Sequence, residues 1–298
     1  MRMPPALQPG DLVRVVAPAG PFDPALAWRG LGWLASRYRV RFDRSMFEAD
    51  GYLAGSDARR LDELSGALQD DQCRAIVAVR GGYGLNRLAH QLDWSAFAAS
   101  PKWIVGFSDV TALHVECAAA GVMSLHATMA AHLGRSDDRT RQAWVDAVEH
   151  PERRRFFSGL QATSPGLAEG PLFGGNLTIL HACAAAGRLR VPHGAILFLE
   201  DIGERPYRID RALTTLRVGG HLDHVRAVVL GQFTDCPPGP DGVAVEQAII
   251  QALGPLRIPL ARGLDAGHGE PNAPLVLGAT ALVDARQPAA VLETFVGS

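Results

Sequence analysis

The stretch Trp103-Ile104-Val105-Gly106-Phe107-Ser108-Asp109-Val110-Thr111-Ala112-Leu113 decides the fold class. A short apolar run ends at a glycine, followed by a serine and then an Asp able to cap a helix. This is the strand-turn-helix grammar of a serine presented as a nucleophile. Gly106 relieves crowding in the turn, and the free N–H groups of the following helix can face an oxyanion. The pattern departs from the common G-x-S-x-G elbow, because Val110 stands where that motif has its second glycine. Taken alone the motif is weak, since serines at strand ends and helix starts are ordinarily caps.

Working outward, the same grammar repeats. Leu12 to Ala17 reads as a buried strand ending at Pro18, and Pro24 to Arg37 has helical composition. Asp57 to Gln69 is a cleaner helix, with Leu61, Leu64 and Leu68 on one face. Arg74 to Val79 reads as a second buried strand, closed by Arg80-Gly81-Gly82-Tyr83-Gly84; Trp103 to Val105 is a third, and Val110 to Ala120 the helix after it. Strands without apolar/polar alternation, joined by helices, predict an α/β fold with a parallel sheet covered on both faces. Sites in such sheets form beyond the carboxyl ends of strands, so the Gly81–Gly84 loop and Ser108 are expected on one rim.

Between His150 and Gly170 the character changes to charged, Pro-broken and turn-like sequence, notably His150-Pro151-Glu152-Arg153-Arg154-Arg155 and Thr163-Ser164-Pro165-Gly166. The expected organisation is therefore a nucleophile-bearing domain over 1–150, a linker over 151–170 and a second domain over 171–298. In the second half Ala195 to Leu199 and Val225 to Leu230 read as buried strands. Tyr207 to Arg217 and Val243 to Leu253 read as helices, and the tail from Leu275 to Phe295 is strand-rich. A smaller α/β or mostly β domain is expected.

A chain of 298 residues buries a substantial core. With 20% charged residues and a net charge of -2, it gives no support to nucleic-acid binding. No apolar stretch is long enough for a secretory signal or a bilayer span, so a soluble cytoplasmic protein is expected. Cys73, Cys117, Cys183 and Cys236 lack C-x-x-C spacing, and buried free thiols are the default reading.

Two further residues have the chemistry to join Ser108. Glu200 ends the apolar run Ile196-Leu197-Phe198-Leu199, which puts a carboxylate at the tip of a buried strand; a solvated strand-end acid is the plainer reading. His268 lies in Asp265-Ala266-Gly267-His268-Gly269-Glu270-Pro271-Asn272, where flanking glycines leave it little packing reason to be there; an exposed loop His is the plainer reading. A serine, a histidine and a carboxylate suffice for nucleophilic acyl transfer, and no chain order is privileged.

The ordered motifs resemble the LD-carboxypeptidases of serine peptidase family S66, the murein tetrapeptide carboxypeptidases. The resemblance rests on Pro9-Gly10-Asp11 through Ala17-Pro18-Ala19-Gly20, Arg80-Gly81-Gly82-Tyr83-Gly84, Gly106-Phe107-Ser108-Asp109, Gly174-Gly175-Asn176-Leu177, Leu199-Glu200-Asp201 through Pro206-Tyr207-Arg208, and Gly267-His268-Gly269. It implies an N-terminal α/β domain carrying Ser108 as nucleophile. It also implies a C-terminal domain carrying His268 as general base and Glu200 as the carboxylate that orients it, with the triad closing between the domains. The same resemblance implies oxyanion donors at the backbone N–H groups of Gly82 and Asp109, and a homodimer. The family's His-Gly-Pro-Met appears as His126-Ala127-Thr128-Met129, a departure that affects a local turn and not the triad.

The expected activity is hydrolysis of the bond between the L-centre of a diamino acid and the terminal D-alanine of a murein tetrapeptide, with no cofactor and no metal. Arg80 is nominated for the substrate's free carboxylate, because guanidinium matches carboxylate bidentately; Arg208, Arg211 and Arg217 are alternatives. Asn176 is explained by helix capping, and the resemblance also turns it towards the site. His114, His126 and His132 lack metal-ligand spacing, and Glu204 reads as a solvated turn residue. Two other functions compete. One is a microcin-type aminoacyl-nucleotide peptidase of the same family, although Asp201-Ile202-Gly203-Glu204-Arg205-Pro206-Tyr207 resembles the murein branch more. The other is a two-domain small-molecule binding protein without catalysis.

Overall fold

The strands of the first half are apolar on consecutive residues because both faces of their sheet are covered. The computed structural model describes residues 1–297. In chain order the first half contains β1 (Leu12–Val16), α1 (Pro24–Ala35), β2 (Arg39–Arg41), α2 (Asp57–Gln69), β3 (Cys73–Ala78), α3 (Trp94–Ala99), β4 (Trp103–Gly106), α4 (Thr111–Ala119), β5 (Ser124–His126), α5 (Ala130–Leu133) and α6 (Asp138–Glu149). The second half contains β6 (Arg155–Ser164), β7 (Leu167–Asn176), α7 (Leu177–Ala185), β8 (Ile196–Ile202), α8 (Pro206–Val218), β9 (Ala227–Thr234), α9 (Val245–Leu253), β10 (Leu260–Arg262), β11 (Leu275–Leu277), β12 (Thr280–Asp284) and β13 (Ala289–Phe295).

These elements form two compact units. One comprises Met1–Pro151 with the late segment Ala273–Val276, and the other comprises Glu152–Asn272 with Leu277–Ser298. The sheet of the first unit has strand order β11-β5-β4-β3-β1-β2. The pairings β1–β2, β1–β3, β3–β4 and β4–β5 are all parallel, so their carboxyl ends share one edge. Val13, Val15, Ile76, Val77, Trp103 and Val105 are buried in its core. Helices begin where short polar side chains take up free N–H groups: Asp23 precedes Pro24 at α1, Ser56 caps α2 and Asp137 caps α6. The helix expected over Asp57 to Gln69 has those bounds.

The second unit is a closed barrel in the order β10-β6-β13-β12-β7-β8-β9, with α7, α8 and α9 in the crossovers. β7, β8, β9 and β10 run parallel, whereas β6, β12 and β13 pair antiparallel. The stretch 151–170, expected as a linker, is mostly strand: β6 and the start of β7 occupy it. Arg155 to Ser164 alternates poorly and is rich in polar residues, yet it pairs with β13 and β10, more than a hundred residues and nearly a hundred residues downstream. Long-range pairing of this kind leaves no local periodicity to read.

Trp103 tests the first core. It is fully buried, and its Nε1–H donates to the Pro5 carbonyl at 2.9 Å. Trp103→Ala is expected to destabilise the protein by about 3–5 kcal/mol, seen as a lower midpoint in denaturant unfolding.

Candidate active site

In the first unit β4 ends at Gly106, and Ser108 follows with φ +63°, a left-handed backbone that a non-glycine residue adopts only when its surroundings hold it there. The turn Ser108–Val110 then feeds α4. A neighbour from α4 braces the approach: His114 is buried, and its Nε2–H donates to the Gly106 carbonyl at 3.0 Å, so its Nδ1 accepts from the Ser124 hydroxyl at 2.8 Å. Burial pushes the His114 ring down to about 4, which keeps it neutral in this role.

The Arg80–Gly84 loop lies against the serine. A Cβ at Gly81 would stand 2.9 Å from the Ser108 Cβ and 3.2 Å from its Oγ, so only glycine permits this approach. Gly82, with φ +111°, is next in the loop. The loop is followed by Leu85, whose N–H donates to Asp109 Oδ2 at 2.9 Å. The sequence reading gave Asp109 the role of helix cap; its carboxylate instead reaches back to Leu85, and Val110, the residue before α4, gives the helix no side-chain cap. Asp109 is 1% exposed, and burial pushes its carboxyl up to about 7 against the opposing Leu85 hydrogen bond and Arg60 charge.

Arg80 is exposed and donates to the Pro21 carbonyl. It lines a cavity of about 340 Å³ with Pro21, Phe22, Asp23, Leu26, Ala131 and His132.

In the second unit the parallel strands of the barrel bring three polar residues to their carboxyl ends. Asn176 ends β7 directly opposite Glu200 on β8, and Gln232 lies on the neighbouring β9. The β8–β9 register shifts between Leu199 and Asp201, so Glu200 sits at an irregularity of the kind that re-aims a side chain. Glu200 has no solvent exposure, and its Oε2 lies 2.6 Å from His268 Nδ1. Burial raises the Glu200 carboxyl above the usual carboxylate range, and the His268 contact opposes the rise. The solvated strand-end acid is thereby set aside.

The loop carrying His268 is fixed by side chains that sequence reasoning did not single out. Gly267 N–H donates to Asn272 Oδ1 at 3.0 Å, Gly269 N–H donates to Gln232 Oε1 at 2.8 Å, and Gln232 Nε2 donates to the Pro271 carbonyl at 3.0 Å. Gly267 has φ +135°, and a Cβ there would come within 3.0 Å of Glu200 Oε2. Asn176 caps α7 through Ile179 N–H at 3.1 Å, while its Nδ2 donates to Asp201 Oδ1 at 2.9 Å. Asp201 also accepts from the Thr178 N–H and hydroxyl. Glu204, expected to be solvated, pairs with Arg208 at 3.6 Å.

Each unit thus assembles its own part of the expected site: Ser108, Gly82, Asp109 and Arg80 in the first, Glu200, His268 and Asn176 in the second. None of the four cysteines is in a disulfide, and Cys73, Cys117 and Cys183 are buried. Among the described residues no group of three or more His, Cys, Asp or Glu side chains could hold a metal ion, and no helix is long and apolar enough to cross a membrane.

Comparison with known proteins places these two units in one family. Residues 13–127 match the LD-carboxypeptidase N-terminal domain and residues 169–283 the LD-carboxypeptidase C-terminal domain. The chain is 34% identical to the murein tetrapeptide carboxypeptidase of Pseudomonas aeruginosa, over 78% of this chain and 80% of that protein. It is 32% identical to the "probable murein peptide carboxypeptidase" of Bacillus subtilis, over 98% and 95%. Among solved structures it is similar to the muramoyltetrapeptide carboxypeptidase from Oxalobacter formigenes, with TM-score 0.83 and 28% identity over 95% of this chain and 98% of that one. An MccF-like protein from Bacillus anthracis has TM-score 0.88 with full coverage of both chains, but at 20% identity it shows the fold alone. The fold and its matched domains define a peptidase, a hydrolase of mixed α/β architecture. The chain belongs to the LD-carboxypeptidase family.

The raised Asp109 carboxyl has a measurable consequence. The unfolded chain loses that proton near the ordinary Asp value of about 4, and the folded protein keeps it until about 7. The folded state binds the extra proton between those values, so this group lowers stability as pH rises through the window. Asp109→Asn is expected to remove that slope: its stability relative to wild type should grow from pH 4 to pH 7 and then level off. Urea unfolding across that range checks this, and a pH-independent difference would mean that Asp109 ionises normally.

Proposed function

We propose that this protein is a serine carboxypeptidase that releases the terminal D-alanine of murein tetrapeptides. The 2.6 Å contact between His268 Nδ1 and the buried Glu200 carboxylate carries the reading. It fixes the ring's tautomer, with Nδ1 facing Glu200 and Nε2 as the base, on a chain whose family and named relatives cleave such peptides. Ser108 is the nucleophile in this scheme. Its hydroxyl attacks the carbonyl carbon of the L,D-bond, and His268 takes the hydroxyl proton while Glu200 stabilises the imidazolium. The N–H groups of Gly82 and Asp109 hold the oxyanion. Collapse breaks the C–N bond, His268 passes its proton to the departing D-alanine amine, and water then releases the acyl group by the same route. Arg80, exposed beside the 340 Å³ cavity, is suited to the substrate's terminal carboxylate, and Asn176 to a supporting contact. The family resemblance further supports a cytoplasmic homodimer that uses neither cofactor nor metal.

Mass spectrometry of muropeptides incubated with the protein tests the activity: tetrapeptides should become tripeptides with release of D-alanine, and unchanged tetrapeptides would sink the reading. Ser108→Ala should abolish turnover. Glu200→Gln should fold normally while kcat falls steeply, about 10⁴-fold if the carboxylate acts as in the serine triad measured most fully; a near-normal rate would remove Glu200 from the mechanism. Chelator should leave the rate unchanged, and loss with EDTA restored by zinc would refute the serine mechanism.

A further inference from the structure

We propose that the Asp109 side chain is a positioning residue, holding the glycine loop that carries the Gly82 N–H in fixed relation to Ser108. The inference rests on the serine-nucleophile reading above and gives a function to a carboxylate which that reading leaves idle, since there only the backbone N–H of Asp109 is used.

The loop Gly81-Gly82-Tyr83-Gly84 has few side-chain atoms of its own to hold it, Tyr83 meeting the Tyr52 ring at 5.6 Å. Three of its residues lack side chains, and Tyr83 is 48% exposed. Gly82 and Gly84 both have positive φ, at +111° and +133°. Such a segment loses much conformational freedom on ordering, and an oxyanion donor must be ordered before the reaction to lower its barrier. Hydrogen bonds at its two ends add to its order. At the upstream end Gly20 N–H donates to the Gly81 carbonyl at 3.0 Å. At the downstream end Leu85 N–H donates to Asp109 Oδ2 at 2.9 Å, in a buried setting.

The second anchor is the informative one. Asp109 is covalently next to Ser108, so one residue ties the nucleophile's turn to the far end of the loop. The carboxylate accepts from a residue 24 positions upstream and not from its own turn, which separates this arrangement from ordinary capping. Arg60 completes the frame. It is fully buried, its Nη1 donates to the Pro18 carbonyl at 2.8 Å, and its guanidinium lies so close to Gly84 that a Cβ there would come within 3.1 Å of Cζ. The same guanidinium lends its charge to Asp109. Backbone N–H of Asp109 and loop N–H of Gly82 are thereby held at one spacing by one side chain.

The test compares wild type with Asp109→Ala, Asp109→Asn and Asp109→Glu by three readouts: kcat and KM for D-alanine release, the rate at which a fluorophosphonate labels Ser108, and hydrogen exchange across residues 81–85. Asp109→Ala should speed exchange in 81–85 and lower kcat by about 100-fold, the loss typical of one oxyanion donor, with KM changed less than about threefold; labelling should slow in parallel. Asp109→Asn keeps an acceptor oxygen for Leu85 and should stay within about tenfold of wild type. Should the alanine variant fail to fold, Asp109→Glu keeps the charge but moves the acceptor by one methylene, and it should show the same kcat loss. Wild-type kcat and labelling in Asp109→Ala, or in Asp109→Glu where that variant stands in, would overturn the proposal. So would equal losses in the Ala and Asn variants with unaltered exchange in 81–85. Wild type that is labelled at Ser108 yet releases no D-alanine would refute the substrate reading alone, leaving labelling and exchange to decide the role of Asp109. Wild type that is not labelled would overturn both.

Discussion

A serine with φ +63° at the end of a buried strand is a conformation the chain must be made to keep. Residues held in this region cost free energy of order 1–3 kcal/mol and persist only where the surroundings over-determine them. Here the surroundings do so from several sides. His114 fixes the carbonyl just before the turn, Gly81 packs without a side chain against the serine, and Asp109 couples the turn to Leu85. The strand behind it is buried throughout, so the strain cannot relax by sliding β4. The parallel sheet, the glycine loop and the neutral histidine of the first unit all serve this one backbone geometry.

The second unit solves a different problem, that of holding a carboxyl group where solvent does not reach it. Taking an ionised group out of water is costly unless it is paired and hydrogen-bonded. Glu200 is placed at a register irregularity of the barrel, opposite Asn176, with the His268 ring directly on its Oε2. The ring is held in turn by a loop whose N–H groups are taken by Asn272 and Gln232. Parallel pairing of β7, β8 and β9 is what gathers these side chains at one end of the barrel.

How much of this the sequence reveals depends on the range of the interaction concerned. The helix over Asp57 to Gln69 is set by local apolar spacing and a serine cap, and both are plain in the residues. Ser108 at a strand end and the alternation of strand and helix in the first half are equally local. The barrel is not. β6 pairs with β13 and β10 across long stretches of chain, so its residues look like a linker when read alone. Asp109 looks like a cap for the same reason, because the N–H that it binds belongs to Leu85, 24 residues away. Glu200 and His268 were singled out by chemistry and motif, but the complete burial of Glu200 follows from barrel closure. Gln232 and Asn272 carry no signal at all: a lone Gln in a strand and a lone Asn in a turn acquire meaning only once the loop they hold is folded.

The late strand β11 bears on how the chain reaches this state. It supplies the outer member of the first unit's sheet, beside β5, yet it lies after β6 through β10 of the barrel in sequence. During synthesis from the N-terminus, β5 therefore waits as an unpaired edge until residues beyond 275 have been made. An open edge of otherwise buried residues is prone to pair with a neighbouring chain, and closing so long a loop slows folding. The nascent first unit thus passes through a stage in which that edge is uncovered, and a chain truncated before β11 would leave it so permanently.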